Sequence, residues 1–352
     1  MKYYLATVDE ALNACQDEEC FILDVRTAAE CAQGVAKGAI CLELNDIKLK
    51  ALSQLSKNKT YYVMCLSGQR SQQAIDELTQ LGFINLMHIE QGYQQWQKQG
   101  LPIDKIKISQ HDIRYNRHHQ LQGFGRQAQD KLNAAHILMI GAGGLGSSAA
   151  LYLTAAGIGE LTIIDDDRVE LSNLQRQIIH STKSIGQHKV KSAYEQLNAL
   201  NPDIKINTLV ARLDDTNVDE LIKNCDLVID GSDNLTTRYL VNDNCLKYKK
   251  PLVYAAVYQY EAQISLFTFK DSHCPCLRCL FPETTGFEPD NCSTVGVLGV
   301  VPGLAGIIQA SEAIKIISNV GQVLDSQLLI CDLLDNSFRT IKYKYNPDCD
   351  LH

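Results

Sequence analysis

Apolar residues along this chain fall into short runs that end on glycine or charge. His136 to Ile140 (HILMI) is a run of strand length. It stops at Gly141, Gly143, Gly144 and Gly146, passes into a small-residue segment of helical length, and is followed by a second apolar run closing on Asp165. Apolar runs of this length bounded by glycine predict strands buried on both faces. A similar rhythm occurs nearer the start. Phe21 to Val25 is a short apolar run around Asp24 and Arg26, and KTYYVMC, Lys59 to Cys65, is a second strand-like stretch. SQQAIDELTQLG then sets Ala74, Leu78 and Leu81 on one helical stripe ended by Gly82. Further on, LVIDGSDN closes a strand in carboxylates. Strands alternating with helices predict α/β domains with parallel sheets. The longest apolar run, Val295 to Ile308, is about 14 residues and is broken by Gly and Pro, too short for a membrane span. It predicts a buried turn and helix. Gly100 to Gln110 (GLPIDKIKISQ) is polar and aperiodic and reads as a linker, giving domains over 1–103 and 113–352 joined by 104–112.

Composition narrows this picture only in places. A chain of 352 residues suits two domains, and 45% hydrophobic with 21% charged residues is ordinary for a globular protein. A net charge of −8 argues against general nucleic-acid binding. The opening MKYYLATVDE has acids where a secretory apolar core would stand, so a cytoplasmic location is expected. There the 13 cysteines stay reduced, which favours metal binding or thiol chemistry over a disulfide framework.

The glycine turn carries the first candidate chemistry. Gly141 permits a sharp exit from its strand, Gly143 lets backbone approach a phosphate, and Gly146 lets the helix pack closely. The helix N-terminus offers N–H groups to an anion, and Asp165 stands where an acid meets a ribose hydroxyl. Taken alone, this motif fits a dinucleotide-dependent dehydrogenase equally well. Asn173, Arg176 and Lys189 follow soon after Asp165, however, and extra cations suit a triphosphate, whose charge moves during nucleotidyl transfer. Asp233, in DGSDN, is a candidate Mg²⁺ ligand. No Gly-x-x-x-x-Gly-Lys-Ser/Thr loop occurs in the chain.

Sulfur chemistry is the second theme. CLSGQRS puts Cys65 between a strand and a helix, where loop N–H groups and the nearby Arg70 favour a thiolate or persulfide. Cys276 and Cys279 have C-x-x-C spacing, and Cys349 with His352 repeats that spacing in NPDCDLH. Three sulfurs and one nitrogen satisfy tetrahedral Zn²⁺, with Cys274 as an alternative ligand; a redox C-x-x-C is the competing reading. Cys292 lies in a loop-like segment and is either reactive or incidental.

Two resemblances gather these motifs. RYNRHHQLQGFG, GAGGLG, DDDRVELSNLQRQ, GQHKV, DGSDN and PCLRC closely resemble the adenylyltransferases that activate ubiquitin-like sulfur carriers in molybdopterin and thiazole synthesis. This resemblance covers about residues 113 to 352 and implies a Rossmann-like, ATP-binding domain of the ubiquitin-activating type. It also implies adenylation, with ATP and Mg²⁺, of the C-terminal carboxylate of a small partner ending in Gly-Gly. By motif position, Arg176 and Lys189 would hold phosphates, Asp165 the ribose and Asp233 the metal, with Asp167 and Asn173 beside them. Arg117, in RYNR, would reach the site of the other subunit of a homodimer. Cys292, in NCSTVG, matches a cysteine proposed to link covalently to the carrier. The segment from about residue 5 to 103 resembles the rhodanese family through ILDVRTAAE, GAI, CLSGQRS and QGYQQW, with Val35 and Lys37 where that family usually has His-Ile-Pro. It implies sulfur transfer through a Cys65 persulfide, charged by a donor such as a cysteine desulfurase. The fusion favours a molybdopterin or tRNA-thiolation carrier, while LFPE and DNCSTVGVLG look as close to the thiazole enzymes.

Overall fold

The computed structural model describes residues 3–105, 109–271, 273–282 and 296–351. The chain forms two compact units, Met1–Gly125 and Arg126–His352.

Among the described residues, seven strands lie in the first unit: β1 (Tyr4–Ala6), β2 (Cys20–Asp24), β3 (Val35–Ala36), β4 (Ile40–Cys41), β5 (Thr60–Met64), β6 (Leu86–Ile89) and β7 (Ile103–Asp104). Five make a parallel sheet in the order β1-β6-β5-β2-β4, and β3 pairs with β7 in a separate antiparallel ribbon. Alternation sorts the strand residues to two faces. Leu23 and Val63 join Ala74 and Leu78 of helix α1 (Gln69–Gln80) in one buried cluster, while Ile22 and Met64 join Tyr93 and Trp96 in another. Helices therefore cover both faces, which is why these strands read as continuous apolar runs. The stripe expected on α1 is real: Ala74 and Leu78 are fully buried, Leu81 is half-buried at the C-cap, and Gly82 follows with φ +89°.

The second unit holds an eight-stranded sheet. Its strands are β8 (His136–Ile140), β9 (Glu160–Ile164), β10 (Lys205–Leu209), β11 (Leu227–Asp230), β12 (Leu252–Tyr258), β13 (Glu261–Phe267), β14 (Gln327–Asp332) and β15 (Ser337–Lys342), in the order β10-β9-β8-β11-β12-β13-β14-β15. The first five are mutually parallel and the rest antiparallel. Chain order reverses at β8, which lies between β9 and β11, and ligands of open α/β sheets bind outside the carboxyl ends of strands at such a point. The mixed α/β class expected from the sequence is present, with an antiparallel half added to the parallel one.

The longest helices of the second unit are α2 (Gly144–Ala156), α3 (Lys189–Leu200), α4 (Leu235–Tyr248) and α5 (Val300–Ser318). α5 takes in the part of the longest apolar run from Val300 to Ile308. By length and hydropathy it would pass for a membrane span, yet its buried face carries Gln309 and Glu312. The Gln309 amide donates to the backbone carbonyls of Asp230 and Val253, at 2.7 and 3.1 Å, and the Glu312 carboxylate accepts from Leu324 N. Those bonds mark a core helix packed on the sheet.

Candidate functional site

The first unit builds a cysteine loop. β5 ends at Met64, Cys65 follows it, and α1 begins at Gln69 with Gly68 as its N-cap, two residues earlier than Ser71. Gly68 has φ +98°, and a Cβ there would lie 2.2 Å from the Glu90 carbonyl oxygen, so only glycine closes this loop. The Cys65 sulfur accepts from Gly68 N at 3.1 Å and from the Ser71 hydroxyl at 3.5 Å. Burial opposes ionisation of Cys65, which is 1% exposed, but bonds from the Ser71 side chain and from the N–H groups of Ser71, Ser67 and Gly68 outweigh it. The thiol is thereby held below its ordinary value. Arg70, expected near the sulfur, makes a two-pronged pair with Glu30, 2.7 Å on each arm. Burial works against the Glu30 charge, and Arg70 with the Thr27 cap more than offsets it, bringing the carboxyl down to about 2. Two residues that sequence reasoning passed over stand behind the loop: His88, whose Nε2 is 3.0 Å from both Gly68 O and Ser71 Oγ, and Asp24, whose buried carboxylate pairs with Arg26 at 2.6 Å.

The second unit assembles the glycine turn at the carboxyl end of β8. Gly141 has φ +88°, and its Cβ would lie 2.9 Å from Gly231 O; a Cβ on Gly146 would sit 2.2 Å from Gly141 O. These two glycines let the turn fold against the β11 loop and under its own helix. Asp165, beyond β9, accepts from Ala142 N through one oxygen and from Asp167 N through the other, both at 2.8 Å. Lys189 opens α3, is 7% exposed, and reaches the Asp167 carboxylate at 2.7 Å. Arg176 is half-buried and donates to Ser172 O at 3.2 Å; its side chain also packs near Gly144. The Asn173 side-chain oxygen accepts from Glu170 N. Asp233 is exposed beyond β11. Asp165 to Asp167 also bring three carboxylates within 4.8 Å of one another. Two buried groups that periodicity could not reveal support the turn. His180 donates from Nε2 to Ala142 O at 3.0 Å and faces Ser192 Oγ through Nδ1, and burial holds its pKa down. Asp230, fully buried, accepts from Ser232 N, and burial raises its pKa. Arg117 lies on the short helix Asn116–His119 of the first unit and is exposed.

Three thiols converge elsewhere in the second unit. Cys276 Sγ is 3.8 Å from that of Cys279 and 3.7 Å from that of Cys349. A tetrahedral metal about 2.3 Å from each sulfur sets sulfurs about 3.8 Å apart, so the donors already have the spacing a metal requires. Burial pushes the Cys276 thiol up to about 12, a cost that a bound cation would offset. Cys274 is not part of this cluster; its sulfur lies 3.9 Å from the Thr268 hydroxyl. Cys292 and His352 fall outside the described residues.

Two family models match the chain, one on either side of residues 100–114. A model described as the ThiF family matches residues 115–351, and one described as a rhodanese-like domain matches 7–99. The chain is 45% identical over 240 residues to the SAMP-activating enzyme E1 of Haloferax volcanii, covering 68% of this chain and 87% of that protein. It is 44% identical over 251 residues to the adenylyltransferase and sulfurtransferase MOCS3-1 of Zea mays, covering 71% of this chain and 52% of that one. Among solved structures, E. coli MccB shares the fold at 21% identity with a TM-score of 0.61, over 70% of this chain and 74% of that chain.

Proposed function

Because the chain belongs to the ThiF family and carries a rhodanese-like domain before the matched region, we propose that it activates a ubiquitin-like sulfur carrier with ATP and supplies its sulfur. The observation that carries this reading is the joining, in one chain, of a glycine turn at the carboxyl ends of parallel strands to a loop that stabilises a cysteine thiolate.

In the first step the carrier's Gly-Gly carboxylate attacks the α-phosphorus of ATP. A carboxyl–phosphorus bond forms, the bond to pyrophosphate breaks, and an acyl adenylate results. The backbone around Gly143 and the N-terminus of α2 face the phosphates, Arg176 and Lys189 neutralise them, and Asp165, with Asp167 and Asn173 nearby, orients the ribose. Lys189 is held by Asp167 at 2.7 Å, so it is aimed before nucleotide arrives. Asp233 is the residue for Mg²⁺, which would supply charge neutralisation at the phosphates. Cys276, Cys279 and Cys349, with His352, would hold a structural Zn²⁺.

In the second step a persulfide on Cys65 attacks the activated carbonyl, a carbon–sulfur bond forms, and AMP leaves. The Cys292 thiolate then attacks the Cys65 sulfur of the resulting acyl disulfide. This frees the thiocarboxylate and leaves a Cys65–Cys292 disulfide that an external thiol reopens. A cysteine desulfurase is the proposed source of the persulfide sulfur. Tethering donor and activator raises the effective concentration of sulfur. The proposed setting is the cytoplasm, and the proposed assembly is a homodimer in which Arg117 of each subunit serves the other.

The favoured carrier is the small subunit of molybdopterin synthase, with the thiazole and tRNA-thiolation carriers as alternatives. ATP–pyrophosphate exchange distinguishes them. Each carrier is supplied intact and without its terminal glycine; exchange with one intact carrier alone identifies the pathway, and exchange with none refutes the adenylation reading.

A further inference from the structure

Behind the cysteine loop lies a buried polar chain that the proposed reaction does not use. His88 sits on β6, opposite Val63 of β5, and is 4% exposed. Its Nε2 is 3.0 Å from Gly68 O and 3.0 Å from Ser71 Oγ. A carbonyl oxygen only accepts, so Nε2 carries a hydrogen and is the donor here. Nδ1 is buried and has no partner among the described residues, while the edge-on ring of Tyr3, with centroids 5.4 Å apart, packs against the imidazole. The donor role of Nε2 is thus fixed by what it meets.

Ser71 is fully buried, and its hydroxyl lies between that N–H, the Gly68 carbonyl at 2.8 Å and the Cys65 sulfur at 3.5 Å. His88 donates towards both Gly68 O and Ser71 Oγ, which leaves the hydroxyl hydrogen two acceptors, Gly68 O at 2.8 Å and the Cys65 sulfur at 3.5 Å. The sulfur becomes the stronger of the two once it is charged, and the hydroxyl hydrogen then turns to it. We propose that His88 is a positioning residue for sulfur transfer: through Ser71 it aims a hydrogen bond at the Cys65 thiolate and at the persulfide that succeeds it. The charges around the sulfur on neighbouring elements are already committed, Arg70 to Glu30 and Arg26 to Asp24. The Ser71 hydroxyl is therefore the adjustable donor. The inference rests on the reading of Cys65 as the sulfur-accepting nucleophile.

The test uses the full chain and thiosulfate as sulfane donor. The Cys65 thiolate attacks the outer sulfur, a new S–S bond forms, and the old one breaks with its electron pair leaving as sulfite. His88→Gln and His88→Leu are compared with Ser71→Ala and with the double variant. The expected result is an alkylation rate of Cys65 at neutral pH about tenfold lower in His88→Leu and in Ser71→Ala. Little further loss is expected in the double variant, because the two act in series. His88→Gln, whose amide can donate to the same two oxygens, restores most of the rate. Additive losses, or an unchanged pH profile of alkylation in folded His88→Leu, would overturn the proposal. Should His88→Leu fail to fold, an unchanged profile in Ser71→Ala does so. Absence of any persulfide on the wild-type Cys65 would refute the nucleophile itself, separately from His88.

Discussion

At the scale of single residues, the two proposed chemistries separate. Asp233→Ala is expected to reduce ATP–pyrophosphate exchange by at least a hundredfold while leaving thiosulfate-dependent persulfide formation intact. Cys65→Ala should do the reverse, and loss of both activities in either variant would contradict independent sites. Glu30 makes a pH prediction. Its carboxyl titrates near 2 when folded, below its ordinary value, so the ionised form stabilises the first unit above the unfolded value and that support disappears as pH falls towards 2. Denaturation of Glu30→Gln, followed between roughly pH 4.5 and 2, should show a flatter acid slope than the parent. This pair also shows a limit of the sequence. Arg70 lies five positions after Cys65 and feels the charge of that sulfur, but the carboxylate it pairs with, Glu30, lies 40 positions away. His88 left no signal either, because one histidine in an apolar strand looks like core until its partners are known.

Among the elements, boundaries were legible wherever glycine or period enforced them. The β8–turn–α2 segment follows from an apolar run and spaced glycines, and α1 from its stripe. The antiparallel half of the sheet was not foreseen, since β15 is exposed along its whole length and has no buried face to impose a pattern. The glycines of the turn differ in what they tolerate. A Cβ on Gly146 would meet Gly141 O at 2.2 Å, whereas one on Gly143 finds nothing closer than 3.8 Å. Gly146→Ala is therefore expected to lower stability by about 1–3 kcal/mol in chemical denaturation. Gly143→Ala should fold as the parent does and instead raise the KM for ATP in the exchange assay.

For the whole molecule, chain length suggested two domains and motif spacing singled out the glycine turn and the C-x-x-C pair, but the meeting of Cys276 with Cys349 is a product of the fold. Their sulfurs are 3.7 Å apart across 73 positions of sequence, a closeness that the spacing within each pair leaves open. About one equivalent of zinc per chain is expected by elemental analysis, and chelation should lower the thermal midpoint of the second unit. Zinc below half an equivalent would refute the assignment. The parallel half of the sheet bears on the order in which the molecule matures. β12 and β13 are neighbours in sequence, as are β14 and β15, so each pair can close locally. β8 must wait for β11, which emerges some 90 residues later and brings Gly231 against Gly141. Nucleotide affinity should thus arise late in refolding, after hairpin formation, making a bound nucleotide a reporter of complete chain assembly.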